Sequence, residues 1–432
     1  MSLPKYAEYK DSGVDWLGEI PSHWAKSKIR RLAMLGMGQT ILREMLEDGP
    51  CEGAFPVYSA SEGGEPFGYF KNPSVRLKNG DLIIGARGSI GMTRIVMNDA
   101  TCTQTTIWAK LAIQEAQPPF IYWTFVGGRE GLFPFDKTAI PMLTVEQVAS
   151  GYLPFPPVSE QTSIAAFLDR ETAKIDALIA EQEKLIALLA EKRQATISHA
   201  VTRGLNPDAA MKDSGVEWLA QVPAHWQVQR LKVVSQFITS GPRGWSEQIA
   251  EFGSLFIQSG DLNDSMGVEF ASAKRVPVDG GAEAERTRLQ SGDVLVCITG
   301  AKTGNVAVCE SVPEPAYVNQ HLCLIRPSAK VLPTFLGASL KSTLGRTQFE
   351  LSQYGLKQGL SLENVREVIL AIPPIPEQRE LIDWVNDVAA QVDSTRMAAE
   401  QAVALLKERR AALIAAAVTG QIDVRNAAQQ DA

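Results

Sequence analysis

The chain carries one pattern twice. Asp11-Ser-Gly-Val-Asp-Trp-Leu-Gly-Glu-Ile-Pro-Ser-His-Trp24 returns as Asp213-Ser-Gly-Val-Glu-Trp-Leu-Ala-Gln-Val-Pro-Ala-His-Trp226, and Pro156-Pro-Val-Ser-Glu-Gln161 returns as Pro373-Pro-Ile-Pro-Glu-Gln378. The second pair is displaced further than the first, so the second copy holds an insertion between its two motifs. Whatever fold one copy adopts, the other must adopt it too, and the activity is expected at two places.

Each copy ends in a segment of helical period with few breakers. Ile164, Leu168, Glu171, Ile175, Leu178, Gln182, Leu185, Leu189, Lys192 and Thr196 alternate steps of four and three, the spacing of a coiled-coil seam. The repeat carries them onto Leu381, Val385, Val388, Val392, Thr395, Ala399, Ala402, Leu406, Arg409 and Leu413. Pro-Pro sets an extended lead-in, Ser159 or Pro376 suits the first turn, and Glu160 or Glu377 places a carboxylate at the positive helix end. Gly204 and Gly420 follow Ala-Val-Thr as left-handed terminators. About 40 helical residues at roughly 1.5 Å each make rods of about 60 Å. A rod of that length with an apolar stripe must bury it, and the other copy is the nearest partner.

Between the rods, short β-rich runs dominate. They are Asp81–Ala86, Thr93–Met97 and Thr106–Ala109 in the first copy, and Asp293–Ile298, Asn305–Cys309 and His321–Ile325 in the second. Gly-Asp opens the first run of each set, and a Gly-rich turn follows it: Arg87-Gly-Ser-Ile-Gly91 or Thr299-Gly-Ala-Lys-Thr-Gly304. The predicted class is therefore α+β, with two globular mixed α/β domains separated by a long antiparallel two-helix coiled coil under an internal pseudo-twofold repeat. The limits are 1–155 and 206–372 for the domains, 156–205 and 373–424 for the helices, and 425–432 for a flexible tail. If the rods pair antiparallel, the opening motif must meet the end of the second rod without a covalent link, just as Asp213–Trp226 follows the first rod.

Composition narrows the function. Of 432 residues 45% are hydrophobic and 21% charged, as in ordinary soluble globular proteins. Met1–Lys10 lacks an apolar signal core and no apolar run reaches membrane-spanning length, which points to a cytoplasmic protein without a membrane partner. Cys51, Cys102, Cys297, Cys309 and Cys323 lack ligand spacing and are read as buried thiols. The net charge of −7 argues against a uniformly basic nucleic-acid binder, although a local field suffices for binding. Catalytic signatures are missing. Ala301 stands where a phosphate loop demands Gly, and Gly127-Gly-Arg-Glu-Gly131 does not open a helix after a strand. Pro-Pro after Phe155 or Ile372 is not the Asn/Asp-Pro-Pro-Tyr/Phe loop of an amino-methyltransferase.

Taken together, the duplicated Ser-Gly-Val-x-Trp-Leu-x-x-x-Pro-x-His-Trp opening, the Gly-Asp strands, Ile140-Pro-Met-Leu143 and the duplicated Pro-Pro-x-x-Glu-Gln lead-in resemble the specificity subunit of type I restriction-modification enzymes, over essentially the whole chain. The resemblance implies two target-recognition domains that read the halves of a split double-stranded DNA sequence, with the helices as a ruler. It also implies that this chain is non-catalytic and binds no cofactor. Modification subunits using S-adenosylmethionine and motor-nuclease restriction subunits using ATP and Mg would supply the chemistry. With about 3.4 Å per base-pair step, half-sites centred about one helical turn apart are expected.

Candidate DNA contacts lie in the variable loops. Arg87 and Ser89, with Lys302 and Thr303, sit in turns where Gly permits close backbone approach, although an ordinary hairpin would look the same. Gln104 and Thr105, with Asn319, Gln320 and His321, precede the next strand; Gln and Asn can read adenine, and turn capping is the competing account. Arg243, then Tyr354, Lys357 and Gln358, and their first-copy analogue Lys137 complete the set. Trp16, Trp24, Trp218 and Trp226 are read with His23 and His225 as a clasp joining each domain to a rod end. A coiled-coil adapter that bridges proteins without touching DNA remains the alternative.

Overall fold

The computed structural model describes residues 4–61, 64–133, 141–353 and 359–425. Contacts divide the chain into residues 1–183 with 400–432 and residues 184–399. The division falls inside each long helix, so the sequence limits at 155, 205 and 372 delimit elements rather than bodies. Each unit combines one globular part with half of each helix.

The two globular parts share a topology. In the first unit an antiparallel sheet orders Ala33–Met37, Thr106–Leu111, Leu82–Gly85 and Thr93–Ile95. In the second the order is Ser235–Ser240, Leu322–Pro327, Val294–Cys297 and Val306–Val308. Leu82–Gly85 and Val294–Cys297 are buried at every residue, as near-continuous apolar runs in a covered sheet should be. A three-stranded sheet accompanies each: Ala54–Tyr58 lies between Gly68–Lys71 and the parallel Thr101–Cys102, and Ser254–Ile257 between Lys274–Val276 and the parallel Ala316–Val318. The Gly-Asp motif is a turn device. Asp81 and Asp293 accept the backbone N–H of Lys78 and Gln290 at 2.8 and 2.7 Å, and Gly80 and Gly292 supply positive φ.

The long helices run Val158–Arg203 and Ile375–Val418, ending at Gly204 and Gly420, both at φ +74°. Their buried stripe differs from the expected seam in one respect. Ile175, Gln182, Leu189 and Thr196 lie on it, but the residues between them are four steps on: Thr172 and Ile179 are buried and Ile186 and Arg193 half-buried, while Leu178, Leu185 and Lys192 are exposed. Leu178-Ile179 and Leu185-Ile186 offer apolar residues at both candidate positions, so spacing could not choose between them. In the second helix Arg396 and Arg410 likewise replace Thr395 and Arg409 on the less exposed face.

The opening motif meets the end of the second helix. Tyr9 Oη donates to the Gly420 carbonyl at 3.0 Å, Asp423 N donates to the Pro4 carbonyl at 2.8 Å, and Ile414, Ala417, Val418 and Val424 join the first unit's core. A Cβ at Gly420 would stand 2.4 Å from Pro21 Cδ. Arg425, expected in the flexible tail, instead pairs with Asp423 at 2.9 and 2.6 Å and lies over the Tyr6 ring. Residues 426–432 lie outside the described residues.

The two repeated motifs find each other. Trp24 Nε1 donates to Glu160 at 3.0 Å, His23 Nε2 lies 2.7 Å from the same carboxylate, and Tyr6 Oη donates to it at 3.2 Å. Trp226 Nε1 and His225 Nε2 reach Glu377 at 3.0 and 2.7 Å. The neighbouring Gln161 and Gln378 repeat a second network, each bridging two carbonyls and one backbone N–H. The outer tryptophans differ: Trp16 donates to the Tyr152 carbonyl at 3.2 Å, whereas Trp218 is exposed.

Removing the shared acceptor strands the buried Trp24 and Tyr6 donors, or the Trp226 donor, at about 1–3 kcal/mol each. Glu160→Ala, which strands two buried donors, should lower stability by about 3 kcal/mol and Glu377→Ala, which strands one, by less, measured from urea unfolding midpoints. Four of the five cysteines are buried, but Cys51 is exposed, which corrects the uniform reading as buried thiols. Burial pushes Cys102 up to about 11 and Cys309 and Cys323 up to about 12, disfavouring the reactive thiolate. A thiol reagent at pH 8 should therefore label Cys51 in the folded protein and the others only after unfolding, as read by mass spectrometry.

Candidate nucleic-acid interface

In each unit three loops converge beside the junction of the two sheets. The chain leaves the short parallel strand, turns through Thr103–Thr105 or Asn319–His321, and enters the next strand. Thr103 N donates to the Tyr58 carbonyl and Asn319 N to the Ile257 carbonyl, both at 3.0 Å. The Gly-rich turn is anchored here as well: Ala86 N and Arg87 N donate to the Thr105 carbonyl, and Ile298 N to the His321 carbonyl. The third loop is held by close backbone approach. A Cβ at Gly38 would stand 2.1 Å from the Thr103 carbonyl oxygen, and one at Gly241 2.0 Å from that of Val318, so neither position admits a side chain without displacement.

The candidate side chains divide by what they already bind. In the first unit Arg87 is exposed, its Nε 3.1 Å from Met142 Sδ. Ser89 is half-buried and its carbonyl accepts Met92 N, closing the turn. Gln104 accepts Ile41 N at 3.3 Å, and the Thr105 and Thr103 hydroxyls lie 2.7 Å apart. In the second unit Arg243 is exposed and makes no hydrogen bond or ion pair among the described residues. Lys302 is exposed, with Nζ 3.4 Å from the Leu262 carbonyl, whereas the Thr303 hydroxyl closes its own turn on the Gly300 carbonyl at 2.7 Å. Asn319 is buried and accepts His321 N at 3.1 Å, the turn-capping arrangement. Gln320 accepts the Ser246 hydroxyl, and His321 Nδ1 contacts the Thr299 hydroxyl. Lys137, Tyr354, Lys357 and Gln358 lie outside the described residues.

The Gly38–Ile41 loop carries no landmark in the sequence, although Arg243 marks its counterpart, Ser240–Trp245. A register shift between Ser235 and Phe237 gives the second copy one extra residue between the His-Trp motif and the glycine, which hides the match. Gln39 in this loop accepts Ser74 N at 2.7 Å and Val75 N at 3.0 Å, tying a further segment to the cluster. Gly38→Ala and Gly241→Ala should each force the loops apart. The expected result is a loss of about 1–3 kcal/mol with weakened binding at one half of any bipartite ligand, checked by unfolding and footprinting.

Comparison with known proteins agrees with this geometry. A family model described as the type I restriction modification DNA specificity domain matches residues 21–187 and again 226–403. The chain is 25% identical over 371 residues to the type I restriction enzyme EcoBI specificity subunit of Escherichia coli, covering 83% of this chain and 75% of that protein. It is 21% identical over 428 residues to the EcoDI specificity subunit of Escherichia coli, covering 94% and 90%. Among solved structures it is similar to a chain from a study of complex assembly and conformational transition of the type I R-M system, with TM-score 0.70 and 17% identity over 92% of this chain and 98% of that one. The HsdS subunit from Thermoanaerobacter tengcongensis aligns with TM-score 0.51 and 16% identity over 93% and 98%. At such identities the structural likeness speaks to the fold, two mixed α/β recognition domains.

Proposed function

Because the chain belongs to the type I restriction-modification DNA specificity family, with a match in each of its halves, we propose that it reads a bipartite DNA target with one domain per half-site. The observation that carries this reading is the duplicated loop cluster. Gly38 in its unit corresponds to Gly241 in the other, Thr103–Thr105 to Asn319–His321, and one Gly-rich turn to the other, while the side chains differ: Gln-Thr against Gln-His, Ser89 against Lys302. Equivalent geometry with different hydrogen-bonding groups is what two heads reading different base sequences require.

In the same reading the long helices pair as an antiparallel coiled coil that spaces the heads. Within the first unit Arg410 pairs with Asp176 at 2.8 Å and Lys407 with Glu183 at 3.3 Å; within the second Arg193 faces Asp393 at 4.0 Å. Partner numbers fall along one helix as they rise along the other. Modification subunits carrying S-adenosylmethionine and restriction subunits using ATP and Mg dock on this chain and perform the reactions, in the cytoplasm. No helix among the described residues is long and apolar enough to cross a membrane.

Exchanging residues 25–155 for the matching segment of a relative should change one half-site and leave the other intact, read as the methylated sequence in the assembled complex. Change in both halves would contradict one head per half-site. Matched turns inserted in both helices should alter the spacer and not the half-sites. A complex that protects no bipartite site in footprinting would favour the adapter alternative, for which the net acidic charge speaks.

A further inference from the structure

The repeat carries Asp176 onto Asp393 and Arg410 onto Arg193, yet the two ion pairs differ. Arg410 grips Asp176 with two nitrogens at 2.8 and 3.1 Å. Arg193 only approaches Asp393, at 4.0 Å, and its Nε is buried without a hydrogen-bond partner among the described residues. Both arginines border a cleft between the long helices' half-segments and the globular part of their own unit.

The two clefts have diverged in chemistry. In the first unit the cleft, about 640 Å³, also holds cations, but each is engaged: Arg129 donates to the Ile90 carbonyl, Lys407 pairs with Glu183 and Arg410 with Asp176. In the second the cleft is about 790 Å³, and Lys302, Lys341 and Arg346 join Arg193 on its walls. None of those three has an ion-pair partner among the described residues. Glu191, Asp264 and Glu350 also border the cleft, all exposed and none with its carboxylate on these cations, although Lys341 Nζ donates to the Asp264 backbone carbonyl. Burial, with Arg193 and Arg346 alongside, holds the Lys341 ammonium below the usual lysine range against the opposing pull of Asp264. Two half-buried cations, Arg193 with an unsatisfied guanidinium nitrogen and Lys341, flanked by the exposed Lys302 and Arg346, leave the cleft short of an anion.

We infer that the cleft formed by Arg193, Lys302, Lys341 and Arg346 takes a phosphodiester of the DNA backbone, and that its counterpart in the first unit does not. The cleft is continuous with the Gly-rich turn through Lys302 and Thr303, so a strand lying across the reading loops passes its mouth. Such a contact carries no base information; it sets the position of the second head on the duplex. The inference rests on the DNA-reading function proposed above.

The test uses the full chain assembled in its complex. Affinity for target DNA is measured against salt, for the wild type and for Lys341→Gln and Arg346→Gln, together with a scan of DNAs carrying one neutral methylphosphonate each. Each variant should lower the log–log salt slope by about one, weaken all sequences alike, leave the methylated sequence unchanged, and lose sensitivity to one methylphosphonate near the second half-site. Lys341→Arg should restore the slope, and unchanged melting temperatures would exclude misfolding. An unchanged slope and scan in variants of a complex that still protects two half-sites would overturn this inference alone. Failure of the wild type to bind DNA would instead overturn the function on which it rests. Inorganic phosphate that stabilises the DNA-free complex through Lys341, with no change in the DNA slope, would identify a free-anion site and refute the backbone contact.

Discussion

A carboxylate in the first turn of each long helix, buried at Glu160 and half-buried at Glu377, organises each unit. Glu160 and Glu377 sit where the helix presents unpaired N–H groups and positive potential. Each then accepts an indole N–H from the tryptophan of the opening motif, with a histidine nitrogen at 2.7 Å. A carboxylate out of water is tolerable only with such partners, and tryptophan brings a large apolar body with a single donor. The fully buried Trp24 and Trp226 therefore fix how the opening motif of each copy lies against the start of its long helix.

The clasp also explains how the first unit closes between segments remote along the chain. In the second unit the motif follows the first long helix through a short covalent connection. In the first unit nothing covalent joins the second helix to the opening motif, and extra contacts take that role: Tyr6 on Glu160, Tyr9 on the Gly420 carbonyl, and Asp423 paired with Arg425. Arg425 holds the Asp423 carboxyl below its usual range. Noncovalent closure needs more partners because it must also offset the chain entropy that a linker would have limited.

Duplication followed by divergence has a physical logic here. Backbone hydrogen bonds and close glycine approaches define where the loops stand, and they do not depend on which side chains the loops carry. Side chains at Thr103–Thr105 and Asn319–His321, and in the two clefts, were thus able to change while the strands, helix starts and clasp stayed alike. A recognition protein gains from this separation, since the contact groups of one domain can change without altering the scaffold that carries them.

Much of this was legible in the chain. The repeat announced two equivalent units, Pro-Pro and Gly bracketed the long helices to within a few residues, and apolar runs located the central strands, because each is a local signal that one segment carries by itself. The helix seam was legible only in part, since Leu178-Ile179 and Leu185-Ile186 satisfy either register and only packing against a neighbour selects one. Tertiary structure alone decided that the two repeated motifs bind each other through Glu160 and Glu377, that Gly38 matches Gly241 across a bulge, that Asn319 is spent on its own turn, and that Arg193 faces a cationic cleft while Arg410 is paired. Those outcomes depend on distances between segments remote along the chain, and no local periodicity encodes them.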